Sequence, residues 1–145
     1  MARRDSWTRR WRALPAPQRR DLFSAAWRLP LAHAVMRLGG LRRAQRLLGR
    51  RKSARETSPA AAATWRRRAL ALKRVGARLP GVHCLSRSLC LWSWMRRAGL
   101  DAQLKIGVRG SSRKGVESHS WVTLGEEPID DTVESVSGFR VVDWH

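Results

Sequence analysis

Apolar residues in the first half of the chain recur at helical spacing. Within residues 18–38, Leu22, Ala26 and Leu29 fall on one face of a predicted helix. Pro30 lies inside the same pattern, and an internal proline removes a helical hydrogen bond. We therefore expect a kink, or a break into two shorter helices, near Leu29.

Two further helices are predicted before residue 80. The first covers residues 41–48 and ends at Gly49, a residue type that often terminates helices. Residues 50–57 are charged and polar, which is typical of a linker. The second helix begins at Ser58-Pro59, which supplies an N-cap and a first-turn proline, and it continues to about Arg78. Its predicted buried residues are Trp65, Leu72 and Val75.

The pattern changes after Pro80-Gly81, where we expect a chain break. A dense apolar run that begins at His83-Cys84 predicts a buried helix ending at Gly99. Strict alternation of apolar with polar or small residues follows, which is typical of a half-buried strand. The apolar positions of that strand are Ala102, Leu104, Ile106 and Val108.

A second strand is predicted at Ser118–Leu124, after a turn at residues 110–115. Its residues His119, Trp121 and Thr123 share one face because side chains alternate along a strand. Another turn at 125–128 precedes a short extended segment, 129–131, and a last strand is predicted within Phe139–Trp144. Helices followed by an antiparallel meander indicate an α+β fold.

Charge divides the chain at the same point as the structural pattern. Residues 1–80 carry 22 lysine and arginine residues against 3 acidic ones, whereas residues 81–145 carry 8 of each. We therefore expect a basic helical region, 1–80, that docks a partner, and a core, 81–145, that carries the chemistry, the two forming one compact unit. Arginine favours paired bonds to carboxylate or phosphate. Codon bias in a GC-rich genome is an alternative explanation for the arginine excess.

Composition narrows the classes of protein. No run of 18 apolar residues is present, so we expect no membrane-spanning helix, and the basic N-terminus lacks the apolar stretch of a signal peptide. Two cysteines cannot build a disulfide framework, which favours a reducing cytoplasm. Four residues could be mistaken for metal ligands, but their spacing matches no zinc pattern, and we expect neither metal nor cofactor. They are His83, Cys84, Cys90 and His119.

Three residues have the order of a nucleophile, a base and an orienting acid. Cys84 stands at the predicted start of a helix, where unpaired N–H groups and a positive partial charge stabilise a thiolate. His119 lies 35 residues later on a strand, and Asp131 follows 12 residues after it, across a turn. An antiparallel neighbour would bring Asp131 beside His119. The alternative is that the cysteine and the histidine are ordinary structural residues.

About half of the chain resembles the transglutaminase-like B2 peptidases of lasso-peptide biosynthesis. The family pattern combines Cys-Leu-x-Arg-Ser-Leu, Ala-x-Leu-x-Ile-Gly-Val-Arg, His-Ala-Trp-Val-Glu and a late acidic pair. The matching segments here are Cys84–Leu89, Ala102–Arg109, His119–Val122 and Asp130-Asp131. Ser120 and Thr123 depart from the usual alanine and glutamate, and the segment before His119 is longer than usual.

The resemblance implies a transglutaminase or papain-like core with Cys84, His119 and Asp131 as the catalytic triad. Asp130 stays an alternative acid, because adjacent carboxylates on a strand point to opposite faces. The match also suggests site roles for other residues, for which plain packing is the alternative. They are Arg87, Ser88 and Trp121.

The resemblance further implies an activity and partners. B2 proteins cut the leader from a ribosomally made precursor peptide, with a small B1 protein that binds the leader. A separate ATP-dependent cyclase then closes the ring. No leader-binding domain is evident before the predicted helices, which fits a B1 partner supplied as a separate chain. Basic residues expected to dock the leader or B1 are Arg42, Arg43, Arg46, Arg50, Arg66, Arg67 and Arg68, with a merely solvated surface as the alternative.

Three other functions stay open on the residues alone. A transglutaminase-like acyl transferase would pass the same thioacyl intermediate to an amine instead of water. The net charge of +19 and the eight tryptophans would suit nucleic-acid binding, although no base-reading motif is present. Residues 18–48 could also lie on a membrane surface, with Trp27 and Leu31 as anchors.

Overall fold

The computed structural model describes residues 2–50, 59–113 and 115–142 of the 145-residue chain. Helices precede an antiparallel sheet, so the predicted α+β class is confirmed. The elements, in chain order, are α1 (Ala2–Ala13), α2 (Ala16–Leu48), α3 (Pro59–Gly76), α4 (Cys84–Arg97), β1 (Ala102–Ser111), β2 (Gly115–Leu124), β3 (Glu127–Pro128), α5 (Val133–Ser137) and β4 (Arg140–Val141). The sequence patterns had indicated neither α1 nor α5.

The long helix α2 passes through Pro30 without a break, so the break predicted near Leu29 is wrong. Pro30 is exposed, while Ala25, Leu29 and Ala32 are buried against the rest of the protein. Burial of that face compensates for the hydrogen bond that the proline removes. The helix bends instead at Gly40, whose φ of 72° and ψ of 169° are not helical.

The shorter predicted helices agree better with the structure. The bend at Gly40 separates a final helical segment that ends at Leu48, with Gly49 as its C-cap, as predicted. Helix α3 buries Trp65 and Leu72 and half-buries Val75, although it ends at Gly76, two residues before the predicted end. The predicted linker and N-cap, residues 51–58, lie outside the described residues.

Strands β1 and β2 form a long antiparallel hairpin at the centre of a sheet with strand order β3-β2-β1-β4. In its register Gly107 pairs with His119 and Lys105 with Trp121, so these four residues share one face of the sheet. On the other face Leu104 pairs with Val122, and helix α4 packs there.

Burial along β1 departs from simple alternation. Ala102 and Leu104 are buried as predicted, but Ile106 and Val108 are only half-buried and Gly107 is buried instead. The side chains of Trp121 and Phe139 cover Gly107 on the face of the sheet that carries His119. The burial of β1 therefore depends on tertiary contacts, which the residue pattern of the strand does not contain.

The edge strands also differ from expectation. Strand β3 begins at Glu127, inside the predicted turn 125–128, and the N–H of Ile129 then donates to the carbonyl oxygen of Val122 (2.9 Å). Strand β4 covers only Arg140–Val141 of the predicted 139–144, of which residues 143–145 are not described. Short edge strands are common, since they limit pairing with other chains.

One hydrophobic cluster joins the helices to the sheet. It contains Leu29 of α2, Leu72 of α3, Leu89 and Met95 of α4, and Val122 of β2. Among the described helices, none is long and apolar enough to cross a bilayer. The cluster packs α4 against β2, and the candidate catalytic residues lie beside this contact.

Candidate active site

Cys84 is the first residue of α4, as the sequence predicted. His83 precedes it in an extended conformation as N-cap, without a side-chain capping bond. The first backbone N–H groups of a helix have no partner within the helix, so they are available to a negatively charged atom. Cys84 is half-buried rather than sealed in the core, and it lines a cavity at the helix start.

His119 and Asp131 are hydrogen-bonded to each other. Nε2 of His119 lies 2.5 Å from Oδ2 of Asp131, in a partly buried position. Residues 129–131 form bends and not the predicted extended segment, and this return of the chain beside β2 brings the Asp131 carboxylate to the ring. The bond occupies Nε2, and Nδ1 is therefore the ring nitrogen that can exchange a proton with a thiol.

Cys84, His119 and Asp131 line the same small cavity. Its volume is about 50 Å³, room for a few water molecules. The remaining wall residues come from α3, α4, β2 and the loop that precedes α5. They are Ala69, Leu72, Lys73, Arg87, Ser88, Leu91, Ser120 and Asp130.

The surroundings of Asp131 favour its ionised form. Partial burial by itself would raise the pKa of Asp131, but hydrogen bonds from His119 and from the backbone N–H of Thr132, with the charge of His119, hold that pKa below its ordinary value. An ionised carboxylate fixes the ring orientation and stabilises a protonated imidazole. The geometry therefore favours Asp131 over Asp130 as the orienting acid.

Asp130 makes structural contacts instead. Its Oδ1 accepts the backbone N–H of Val122 (2.7 Å), and Ser88 Oγ lies 2.8 Å from its Oδ2. Burial raises the pKa of Asp130; its two hydrogen bonds oppose this rise, and the neighbouring charge of Asp131 adds to it. Asp130 thus ties β2 and α4 to the loop that carries Asp131.

Ser88 extends this network to the strand that carries His119. Its hydroxyl lies 3.1 Å from the backbone carbonyl oxygen of Ser120 and 3.4 Å from the Ser120 hydroxyl. Ser88 and Ser120 are both buried. The serine one helical turn after Cys84 therefore fixes the start of α4 against β2.

Two aromatic side chains hold the His119 ring. Trp121 is stacked at a centroid distance of 6.0 Å and Phe139 lies 5.3 Å away, tilted by 37°. A Cβ at Gly107, across the strand pair from His119, would lie 2.8 Å from atoms of both aromatic residues. The sequence patterns had not assigned Phe139 or Gly107 a role beside His119, because that role depends on β4 pairing with β1 at the edge of the sheet.

Helix α2 also contacts the cysteine helix through a polar pair. His33 Nδ1 lies 2.8 Å from the hydroxyl of Ser86, which is buried two residues after Cys84. Residue spacing had not singled out His33, since a lone histidine on an amphipathic helix is usually structural. The pair positions the first turn of α4 relative to α2.

The second cysteine is a core residue. Cys90 is 1% exposed, and burial raises the pKa of its thiol to about 12. A thiol of that kind stays protonated at neutral pH and is a poor nucleophile. Among the residues that the structure describes, no three histidine, cysteine or acidic side chains form a group that could hold a metal ion.

The arginines expected at a docking surface fall into two sets. Arg67 and Arg68 lie 2.6 Å and 3.3 Å from the carboxylate oxygens of Asp21, a buried residue of α2, and Arg66 pairs with Glu127. These three have partners within the protein. The exposed set lies on the last part of α2 or directly after it and consists of Arg42, Arg43, Arg46 and Arg50.

His119 and Asp131 are in contact beside a cavity that Cys84 also lines, and this set of groups can support acyl transfer through a thiol. Neither the curated proteins nor the solved structures yield a match to this chain. A family model described as the transglutaminase-like superfamily matches residues 25–143, which include Cys84, His119 and Asp131. The superfamily generally includes cysteine-dependent enzymes. The chain belongs to the transglutaminase-like superfamily.

Proposed function

We propose that this protein is a cysteine peptidase that removes the leader from a lasso-peptide precursor. The observation that carries the proposal is the contact between His119 Nε2 and Asp131 Oδ2 beside a cavity that Cys84 also lines. The sequence resemblance of Cys84–Leu89 and His119–Val122 to B2 peptidases supplies the substrate class.

The first half-reaction forms a thioester. Cys84 gives its Sγ proton to Nδ1 of His119, and the thiolate attacks the carbonyl carbon of the scissile peptide bond. The carbonyl oxygen becomes negatively charged, and the backbone N–H of Cys84 at the start of α4 supplies one hydrogen bond to it. When the C–N bond breaks, the imidazolium gives its proton to the leaving amine.

The second half-reaction hydrolyses the thioester and regenerates the free enzyme. His119 takes a proton from water, whose oxygen attacks the thioester carbon, and the C–S bond breaks. The leader leaves with a new carboxylate, and the proton on His119 restores the Cys84 thiol. Asp131 remains ionised throughout, because its pKa is held below the ordinary value, and it keeps Nε2 protonated. The net reaction consumes one water for each peptide bond.

The proposed partners are the precursor peptide and a B1 leader-binding protein, with the ATP-dependent cyclase acting on the product. We propose the basic helical region, residues 1–80, as the part that docks them, and residues 81–145 as the catalytic core. The exposed arginines near the end of α2 support this division, since they carry positive charge outside the catalytic cavity. If docking is electrostatic, the affinity for B1 or the leader falls as salt concentration rises.

The nucleic-acid alternative finds less support in the structure. Four tryptophans that could stack bases are instead buried in the core or beside His119. They are Trp65, Trp92, Trp94 and Trp121. Trp27 and Leu31, the proposed membrane anchors, are about half exposed, at 49% and 50%, so liposome flotation remains the test of that alternative.

The deciding experiment incubates the purified protein with the genomic neighbour's precursor, with and without B1, and follows the products by mass spectrometry. We expect two fragments separated at the leader–core junction, and none with Cys84→Ala, whose fold is checked by circular dichroism. Cleavage by Cys84→Ala would exclude thiol catalysis at this position. The Cys90→Ala variant is the matched control and should cleave normally.

The same experiment separates hydrolysis from acyl transfer. Addition of methylamine offers the thioester a second acceptor. A peptidase gives mainly the free leader carboxylate, whereas a transferase gives mainly the methylamide, which differs in mass. Predominant amide at millimolar amine would favour the acyl-transferase alternative.

A further inference from the structure

A second concavity lies at the other end of α4. It has a volume of about 770 Å³, much larger than the cavity beside Cys84. Its walls come from the end of α2, the last turns of α4, the start of β1 and the residues at the end of β4. We name it the basic groove, and its described lining residues are Arg42, Gln45, Arg46, Gly49, Arg50, Trp92, Arg96, Ala102, Gln103, Leu104, Lys105, Val141 and Val142.

Positive charge dominates the basic groove. Arg42, Arg46 and Arg50 project from α2 or the residue just after its cap, and Arg96 and Lys105 stand on the opposite walls. None of the described residues that line it is acidic. Arg96 also lies 3.9 Å from Asp101, so the three arginines near the end of α2 and Lys105 supply most of the available charge. A ligand for this groove is expected to be anionic.

The walls of the basic groove are held in place by direct contacts. Nε of Arg96 donates to the carbonyl oxygen of Gly49 (3.0 Å), and Nε of Arg97 donates to that of Leu48 (3.2 Å). A Cβ at Gly49 would lie 2.2 Å from the Trp92 ring, so glycine permits this close approach of α2 to α4. The groove is therefore a built feature of the fold.

The lining favours a peptide over a nucleic acid. Val141 and Val142, which are partly exposed, provide an apolar wall suited to aliphatic side chains. Trp92 is the aromatic residue among the described lining residues, and it is only 9% exposed, with the Arg96 guanidinium 5.4 Å from its ring centroid. Single-stranded nucleic acids bind through exposed aromatic faces on which bases stack, and this groove offers none among its described residues.

Distance along α4 relates the basic groove to the catalytic cysteine. Trp92 and Arg96 follow Cys84 by 8 and 12 residues, which corresponds to about 12–18 Å along a helix axis. An extended peptide advances about 3.3 Å per residue. A peptide that occupied both the cavity beside Cys84 and the basic groove would need roughly four to six residues between the two sites.

We propose that the basic groove binds an acidic segment of the peptide substrate, four or more residues from the bond that is cut. The acidic side chains pair with Arg42, Arg46, Arg50 and Lys105, and intervening aliphatic side chains contact Val141 and Val142. The assignment to substrate rests on the proposed peptidase function, whereas binding of an acidic peptide does not. The groove then contributes to the selection of the polypeptide that reaches the smaller cavity beside Cys84.

The test measures binding separately from cleavage. A fluorescein-labelled twelve-residue peptide of alternating glutamate and valine is titrated with the Cys84→Ala protein, and anisotropy is recorded. A peptide with glutamine in place of glutamate and a twelve-nucleotide single-stranded DNA serve as comparison probes. The groove variant carries Arg42→Gln, Arg46→Gln and Arg50→Gln. The control variant carries Arg10→Gln, Arg20→Gln and Arg37→Gln, which removes the same charge from exposed positions outside the groove.

We expect the groove variant to bind the acidic peptide at least tenfold more weakly and the control variant less than twofold more weakly. Equal losses in the two variants would overturn the proposal, since they would show unspecific attraction to a basic protein. If the DNA binds more tightly than the acidic peptide and the groove variant loses that binding, the proposal is overturned in favour of a nucleic-acid ligand. Specific peptide binding without any precursor cleavage would leave the groove standing and refute the peptidase function. Precursor cleavage without groove-dependent peptide binding would support the peptidase function and refute the proposal for the groove.

Discussion

Asp130 and Asp131 are adjacent in the sequence, but their carboxylates contact different parts of the protein. Asp131 contacts the ring of His119, while Asp130 accepts the backbone N–H of Val122 and lies beside the Ser88 hydroxyl. The two environments shift the two pKa values in opposite directions, downward for Asp131 and upward for Asp130. One carboxylate therefore suits the orientation of a base, and the other suits the attachment of a strand to a helix.

The first prediction concerns activity. We expect Asp131→Asn to lower kcat about 100-fold or more, because the variant loses the charge that stabilises a protonated His119. Asp130→Asn keeps an oxygen for the N–H of Val122 and should lower kcat much less. Steady-state cleavage of the precursor measures both variants. A larger loss for Asp130→Asn would reassign the orienting acid to that residue.

The second prediction concerns stability and pH. The pKa of Asp130 is raised in the folded state, so the folded protein binds more protons than the unfolded chain above the ordinary aspartate pKa of about 3.9. Stability from this group is present below that value and is lost as the pH rises through the raised pKa. Asp130→Asn removes this dependence. Denaturant unfolding should show the wild type losing stability relative to the variant as pH increases from about 4.

Asp131→Asn provides the opposite control for that measurement. The pKa of the wild-type Asp131 carboxyl is lowered in the folded state. The wild type should therefore lose stability relative to Asp131→Asn as the pH falls below about 4. Parallel pH profiles for the two variants would contradict the assignment of separate roles.

The third prediction distinguishes the two cysteines. Cys84 is half-buried at a helix start, whereas Cys90 is buried and has a thiol pKa raised to about 12. Brief treatment with iodoacetamide at neutral pH should add one label to the native protein, and peptide mapping should place it on Cys84. Cys90→Ala should keep that label and Cys84→Ala should lose it. Labelling of Cys90 in folded protein would show that the core around α4 opens readily.

The fourth prediction concerns the packing around His119. Gly107→Ala places a methyl group 2.8 Å from atoms of Trp121 and Phe139, and overpacking of this kind costs about 1–3 kcal/mol. Since both aromatic rings contact His119, cleavage activity should fall as well. Gly110→Ala on the same strand meets no atom within 4 Å and should leave stability and activity nearly unchanged. Equal effects at both positions would indicate a general response of β1.

Phe139 gives a fifth prediction, in which it acts as a positioning residue. Phe139→Leu keeps most of the apolar volume but removes the ring that lies 5.3 Å from His119. We expect a lower kcat with little change in KM, and a changed pH dependence of kcat, because the imidazole is held less firmly. A loss of stability with an unchanged kcat and pH profile would assign Phe139 to packing alone.

The sequence by itself determined that helices precede an antiparallel sheet, although it missed α1 and α5, and it indicated the residues able to do chemistry. Local patterns suffice for this, because helical and strand periodicity and the glycine after α4 depend on neighbours in the chain. The start of α4 at Cys84 and the placement of His119 within β2 followed from those patterns. The motif resemblance in the second half pointed to the same two residues.

Only the tertiary structure showed that the two acids contact different groups and identified the residues that pack on His119. Whether Pro30 breaks helix α2 depends on the burial of the helix face opposite the proline, and the role of Phe139 depends on β4 pairing with β1. Arg67 and Arg46 are both arginines on basic helices, yet one pairs with buried Asp21 and the other lines the basic groove. Such differences arise from contacts between residues far apart in the sequence, which no local pattern contains.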